Sequence, residues 1–287
     1  MFDSMTSPAK RIPLVGKSTT FPFQIAVVCW IDLLGYGAMI AEAGFNPLHA
    51  KAAQALSRLR RFHEIVASHS DRYFPTLVVN DGAAAYRDLS LRSREPTHDF
   101  LMSAWSLFKS IRSNENGHGF PGARMVLATG FRMRGRRAGI DATAQQFKSV
   151  MRRYQAGEIV AEQAIREVGS VKRSFDIIPQ LQANFAFSKA YVAERSGTKG
   201  GLGGPNFFVD LTLFDTPTPA WVEKGDTVDW SDERLRMNVS FAPILGFGPV
   251  KHVEGGPLGI RDGLQIAQDL TQDPHILSRL RAARKRG

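Results

Sequence analysis

Cysteine is nearly missing from this chain. Cys29 alone, among 287 residues, excludes an internal disulfide framework, and a reducing compartment is the simpler expectation. It sits in the apolar run FQIAVVCWIDLLGYG, so it reads as a small buried hydrophobe rather than a nucleophile. No apolar stretch reaches the roughly 20 residues that cross a bilayer, and no membrane partner is expected. The basic residues near the N-terminus are not followed by an apolar segment of signal-peptide type, so the expected location is cytoplasmic. Familiar metal and phosphate spacings are missing as well. None of the seven histidines (His49, His63, His69, His98, His118, His252, His275) has HExxH-like spacing, and all seven read as structural or surface residues. TKGGLGG, from Thr198, lacks the Gly-Lys-Ser/Thr ending of a P-loop and reads as a flexible loop.

What is present is an ordinary globular composition, 43% hydrophobic and 22% charged, long enough for one large decorated domain. The net charge of +10 is concentrated in Arg58, Arg60 and Arg61, in Arg132, Arg134, Arg136 and Arg137, and in the tail SRLRAARKRG. Such charge attracts polyanions. None of these clusters is interleaved with the aromatic residues that single-strand binding uses. They read as solvated helix faces and a tail, and no stable nucleic-acid partner is expected.

Residues 1–20 are polar and read as a flexible arm, residues 21–215 as the main domain, and 216–287 as a C-terminal extension. Phe23 to Leu34 is a buried-strand pattern broken by Gly35 and Gly37. Helical spacing runs from about Pro47 to His69 and again from His98 to Ser113. Between them FPTLVVNDGAAAYRDL reads as two strands around a tight Asn80-Asp81-Gly82 turn. ARMVLATG (Ala123 to Gly130) is a strand, and Thr143 to Val168 a charged helical insertion. Phe187, Tyr191 and Glu194 have helical spacing with Gly197 as C-cap, and NFFVDLTLF is a strand. A last helix is expected from Gly263 to Arg284. The order strand, helix, hairpin, helix, strand, helix, strand predicts an α/β sandwich with helices on one face of the sheet.

Two aspartates stand out. Asp32 lies among Val27, Val28, Trp30, Ile31, Leu33 and Leu34, where an unpaired charge is costly; an arginine, a backbone N–H or a metal could partner it, or it caps the turn itself. Asp81 sits at a hairpin tip, where it needs no function beyond the turn. If the sheet brings them together, two adjacent carboxylates repel unless cations lie between them. Hard oxygen ligands that leave coordination positions to phosphate and water suit Mg²⁺ or Mn²⁺.

WIDLLGYG, VVNDGAAAY, ARMVLATG and FAFSKAYVAE, in that order, resemble the four signature segments of class III nucleotide cyclases over roughly residues 23–213. The first segment is most similar to the pyrimidine cyclases of bacterial Pycsar anti-phage systems. The resemblance implies an α+β fold, a ferredoxin-like βαββαβ core acting as a homodimer. It implies Asp32 and Asp81 as ligands of two divalent ions, Mn²⁺ or Mg²⁺, with the Leu33 carbonyl touching a metal. It further implies that Leu34, Gly35, Tyr36 and Gly37 cradle a triphosphate. The implied reaction is attack of a ribose 3′-hydroxyl on the α-phosphate with release of pyrophosphate, the cyclic product being read by a separate effector. The sequence departs from purine cyclases, which carry Asn and Arg four apart on the last helix, where Ser188 and Val192 stand here. Lys189, Arg124, Arg195 or a residue of a partner chain is then expected to neutralise the phosphate, with Lys189 taken as catalytic. No purine-reading Lys/Asp pair is evident, and Tyr36, Phe185 and Phe187 are expected to narrow the base pocket, which favours UTP over CTP over purines. The alternatives are a purine cyclase and a nucleic-acid-binding protein of related palm-like fold.

Overall fold

The computed structural model describes residues 23–133, 142–171, 178 and 180–286. The expected arm, residues 1–20, and Arg134, Arg136 and Arg137 lie outside the described residues. The apolar run at Phe23 forms β1 (Phe23–Leu33), and Gly35, at φ 75°, turns the chain into a short helix α1 (Tyr36–Glu42) that periodicity did not reveal. α2 (Ala50–His69) follows, its N-terminus capped by His49, whose Nδ1 accepts from the Lys51 amide at 3.1 Å. β2 (Thr76–Val79) and β3 (Gly82–Asp88) are the expected hairpin, with Asn80 at φ 55° in the turn. α3 (Glu95–Gly117) leads to β4 (Ala123–Met133). These elements form a sheet in the order β2-β3-β1-β4, every neighbouring pair antiparallel, which is the βαββαβ arrangement of the ferredoxin-like core.

After β4 the expected single insertion helix is two, α4 (Ala142–Gln155) and α5 (Ala161–Ser170), separated at Gly157, whose φ of 72° ends the first. α6 (Phe185–Ser196) returns the chain to β5 (Phe207–Asp210), which lies parallel to β4. The segment beyond 215, whose short apolar runs carried little strand signal, adds β6 (Val222–Lys224), β7 (Val228–Asp232) and β8 (Met237–Phe247) to the same eight-stranded sheet through β8 on β5. A small ladder of β9 (His252–Val253) and β10 (Gly256–Pro257) precedes α7 (Gly263–Leu270) and α8 (Pro274–Arg286). Pro274 divides what the spacing presented as one C-terminal helix, because the residue before a proline is pushed out of helical geometry. No helix among the described residues is long and apolar enough to cross a membrane.

Alternation along β1 feeds two cores. Ile25, Val27, Cys29, Ile31 and Leu33 pack with α2, α3 and α7, whereas Trp30 packs with α6 residues Ala190 and Ala193. The expectation of helices on one face is therefore corrected: α6 covers the second. It does so at very short range. A Cβ added to Gly130 would lie 2.6 Å from the Ala186 amide, so a side chain there would push the helix off the sheet. Burial pushes the Cys29 thiol up to about 12, in keeping with an inert core cysteine.

Candidate active site

Asp32 occupies the last turn of the pleat on the α6 face of β1, directly opposite Gly82 of β3 and Arg124 of β4. Gly82 has no room for a side chain, since a Cβ would meet the Trp30 ring at 2.5 Å. This close approach lets the β2–β3 turn fold against the end of β1, where the Leu33 amide donates to the Asp81 carbonyl at 3.1 Å. The sheet thus brings Asp32 and Asp81 together at one corner. Leu33 is there too, its side chain buried in the core. The Asp81 carboxylate accepts from the Asn80 side chain at 2.9 Å. No hydrogen bond from a described residue reaches the Asp32 carboxylate.

Electrostatics at this corner are unbalanced. The Asp32 carboxyl is pushed up to about 7, chiefly by burial, then by Glu194 and Asp81, while Arg124 and Arg58 pull the other way. Asp81 also raises the Tyr36 hydroxyl, after burial. A half-sheltered carboxylate without hydrogen bonds, beside a second one, is a donor set that fits hard divalent cations. In the metal-free protein the same imbalance has a measurable sign. Asp32 binds its proton more tightly folded than unfolded, so folding stability should fall as pH rises from about 4 to about 7. Asp32→Asn should flatten that slope, and thermal melts of both proteins across this range, in chelator, check it. Parallel curves would remove Asp32 as the cause.

Leu34, Gly35, Tyr36 and Gly37 form the turn from β1 into α1. Leu34 anchors this turn instead of offering its own groups: its amide donates to the Gly122 carbonyl at 2.9 Å and its carbonyl accepts from Arg58 at 2.9 Å. Gly35 is the N-cap without a side-chain cap, so the amides following it lack helical partners, as at any helix start. Arg58 is the residue the sequence reading missed. It is 1% exposed, and its guanidinium is held by Glu115, with Nε 3.1 Å from Oε2, and lies over the Phe120 ring at 4.7 Å. From there it reaches Leu34 and, at 3.3 Å, the Gly122 carbonyl. Reading Arg58 and Arg132 as solvated is corrected; Arg132 is paired with Asp88.

The expected phosphate-neutralising residues meet other environments. Lys189 is 4% exposed and its ammonium lies 2.9 Å from Asp210, which also accepts from Thr129 and Thr212. Burial would raise the Asp210 carboxyl, but Lys189 and the hydrogen bonds from Lys189 and Thr212 hold it below the usual carboxylate range. Lys189 therefore serves a closed buried network, apart from the charges that surround Asp32. Arg124 is beside Asp32 but is bound by Glu194 at 2.7 Å. Ser188 donates back to the Asn184 carbonyl at 3.3 Å within its own helix. Arg195 is exposed and, with Tyr191, Val192 and Arg234, lines an open cleft of about 550 Å³ between α6 and the turn joining β7 to β8. Tyr36 is buried on the α2/α3 side of the sheet, Phe187 packs on Trp30 on the α6 side, and Phe185 is half exposed. The expectation that these three rings wall one base pocket is thereby corrected.

No family model and no curated protein matches the chain. Similar solved structures include the guanylyl cyclase Cya2, at TM-score 0.48 and 11% identity, covering 79% of this chain and 94% of that one. Two structures of a bacterial light-regulated adenylyl cyclase are similar at TM-scores 0.43 and 0.46, each 12% identical, over 90% of this chain. The chain spans 58% and 57% of those two, less than two thirds of their length.

Proposed function

We propose that this protein is a nucleotidyl cyclase that converts a nucleoside triphosphate to its 3′,5′-cyclic monophosphate and pyrophosphate. The observation that carries the reading is the Asp32–Asp81 corner: two carboxylates held together by the sheet, one of them raised to about 7 and without a hydrogen bond. Asp32, Asp81 and the Leu33 carbonyl would hold two divalent cations, Mg²⁺ or Mn²⁺, which when bound supply Lewis-acid charge at the phosphate oxygens. The amides that follow Gly35 would bind the triphosphate, and Arg58 would keep their turn in place. Among the described residues the two cations that act on Asp32 are each paired already, Arg124 with Glu194 and Arg58 with Glu115. The remaining phosphate charge is better met from a second copy, so the active form is a homodimer. A pyrimidine substrate, UTP first, and a signalling role in anti-phage defence with a separate effector rest on the similarity of WIDLLGYG to the Pycsar cyclases.

A purine substrate is the second reading, favoured by the separation of Tyr36 from Phe187, which leaves a two-ring base unobstructed by them. The test is incubation with ATP, GTP, CTP and UTP at equal concentration plus Mn²⁺, with products identified by mass spectrometry over a dilution series of protein. A cyclic monophosphate, formed at a rate per chain that falls on dilution, is expected. Faster consumption of ATP or GTP selects the purine reading, and no cyclic product from any triphosphate overturns the proposal.

A further inference from the structure

A second group of ligating side chains lies where α3 begins, past the end of β3 that is remote from this corner. Glu95, His98 and Asp99 stand at i, i+3 and i+4, so they share one face of the first turns of α3. One oxygen of each carboxylate and one ring nitrogen of His98 all lie within 4.8 Å of one another. A fourth group comes from a different element. His252, on β9, places its Nε2 4.0 Å from Glu95 Oε1, and its ring centroid is 6.1 Å from that of His98. The approach of the two elements is fixed by backbone: the Arg94 amide donates to the Gly255 carbonyl at 2.8 Å. Gly256, at φ 112°, has so little clearance that a Cβ would sit 3.0 Å from the Glu95 amide.

His98 supplies a second, independent observation. Its Nε2 is buried and has no hydrogen-bond partner, and its ring is flanked at the edge by Trp221 at 5.9 Å. A buried polar atom left without a partner costs stability and calls for an explanation, and a bound ion is one that also uses the neighbouring carboxylates. Among the described residues the ion pair that a guanidinium gives this cluster is Arg87 with Asp99, at 3.5 Å, whereas Glu95 faces the His252 ring.

We propose that Glu95, His98, Asp99 and His252 form a binding site for a zinc-class divalent transition metal that clips the β9–β10 ladder to the start of α3. Two imidazoles with two carboxylates make a borderline donor set, suited to Zn²⁺ or Co²⁺ and unlike the all-oxygen corner of Asp32 and Asp81. Ligand atoms around zinc lie about 3.4 Å apart, the edge of a tetrahedron built on its usual bond lengths, so side chains already within 4.8 Å need only close in. His252, whose side chain is exposed, has room to turn its ring toward the other three. Sequence spacing could not reveal this site, because its fourth ligand comes from the far end of the chain.

The experiment uses the full chain carrying Asp32→Ala and Asp81→Ala, stripped with chelator and titrated with Co²⁺ and then Zn²⁺. One Co²⁺ per chain is expected, with the visible absorption of a four-coordinate nitrogen-containing site, displaced by Zn²⁺, and Zn²⁺ should raise Tm. Adding His252→Ala, a substitution at an exposed side chain, should weaken Co²⁺ binding by about a hundredfold, at the upper end of what even outer-shell changes cost, and abolish the Zn²⁺-dependent rise in Tm; His98→Ala should do the same. No Co²⁺ bound by the parent, or affinity and spectrum unchanged by His252→Ala, would overturn the site.

Discussion

Asp32→Ala and Asp81→Ala are each expected to reduce the proposed cyclase turnover about a thousandfold or more. Lewis-acid stabilisation at a phosphoryl centre amounts to several kcal/mol, and about 4 kcal/mol of barrier corresponds to three powers of ten in rate. Stability should move the other way. Asp32 is a carboxylate raised by burial and by the neighbouring charges of Glu194 and Asp81, so its removal relieves repulsion in metal-free protein. The Tm in chelator should hold or rise in both variants. Steady-state rates with Mn²⁺ beside melts in chelator check both halves. A variant that keeps wild-type rate would sink the metal-site reading, whereas one that loses rate and fold together would leave it without support.

Arg58→Met should be strongly destabilising. It leaves Glu115, 2% exposed, without its cation, and strips two carbonyls, of Leu34 and Gly122, of their donor. Breaking a buried pair from one side costs about 3–5 kcal/mol, and for a domain of this size that lowers Tm by roughly 10 °C. The double variant Arg58→Met/Glu115→Leu should recover most of this loss, because apolar replacement of both partners removes the stranded charge. Activity should not recover with it, since the Leu34 carbonyl still has no anchor. A single variant melting within about 1 °C of wild type would show that the pair carries no stability.

The main strands and the hairpin were legible because each is a local pattern: an apolar run at β1, a turn dipeptide at Asn80-Asp81, a 3.6 period in α2 and α3. Asp32 and Asp81 could be singled out for similar reasons, one by its apolar surroundings and one by its turn. What escaped was set by contacts distant in sequence. α6 was recognisable as a helix, but the face it would cover depended on the crossover from β4 to β5. Lys189 looked available until Asp210, on another element, took its charge. Arg58 was nonetheless detectable. The buried stripe of α2 runs Ala52, Ala55, Arg58, Phe62, Val66, and that of α3 ends Phe108, Ile111, Glu115. A cation in one apolar stripe and an anion in the next announce a buried pair between two helices.

The register of β1 also governs how the chain is made. Phe23 pairs with Met133 and Ala26 with Asp88, so the central strand has neither neighbour when it leaves the ribosome. At 5–20 residues per second its second partner appears roughly 10 s later. Until then Ile25, Val27, Cys29 and Ile31 are an unpaired apolar strand, and closure across so long a loop is slow. The strand that carries Asp32 is thus synthesised before either of its partner strands, and its apolar face stays open to misassociation until both have followed.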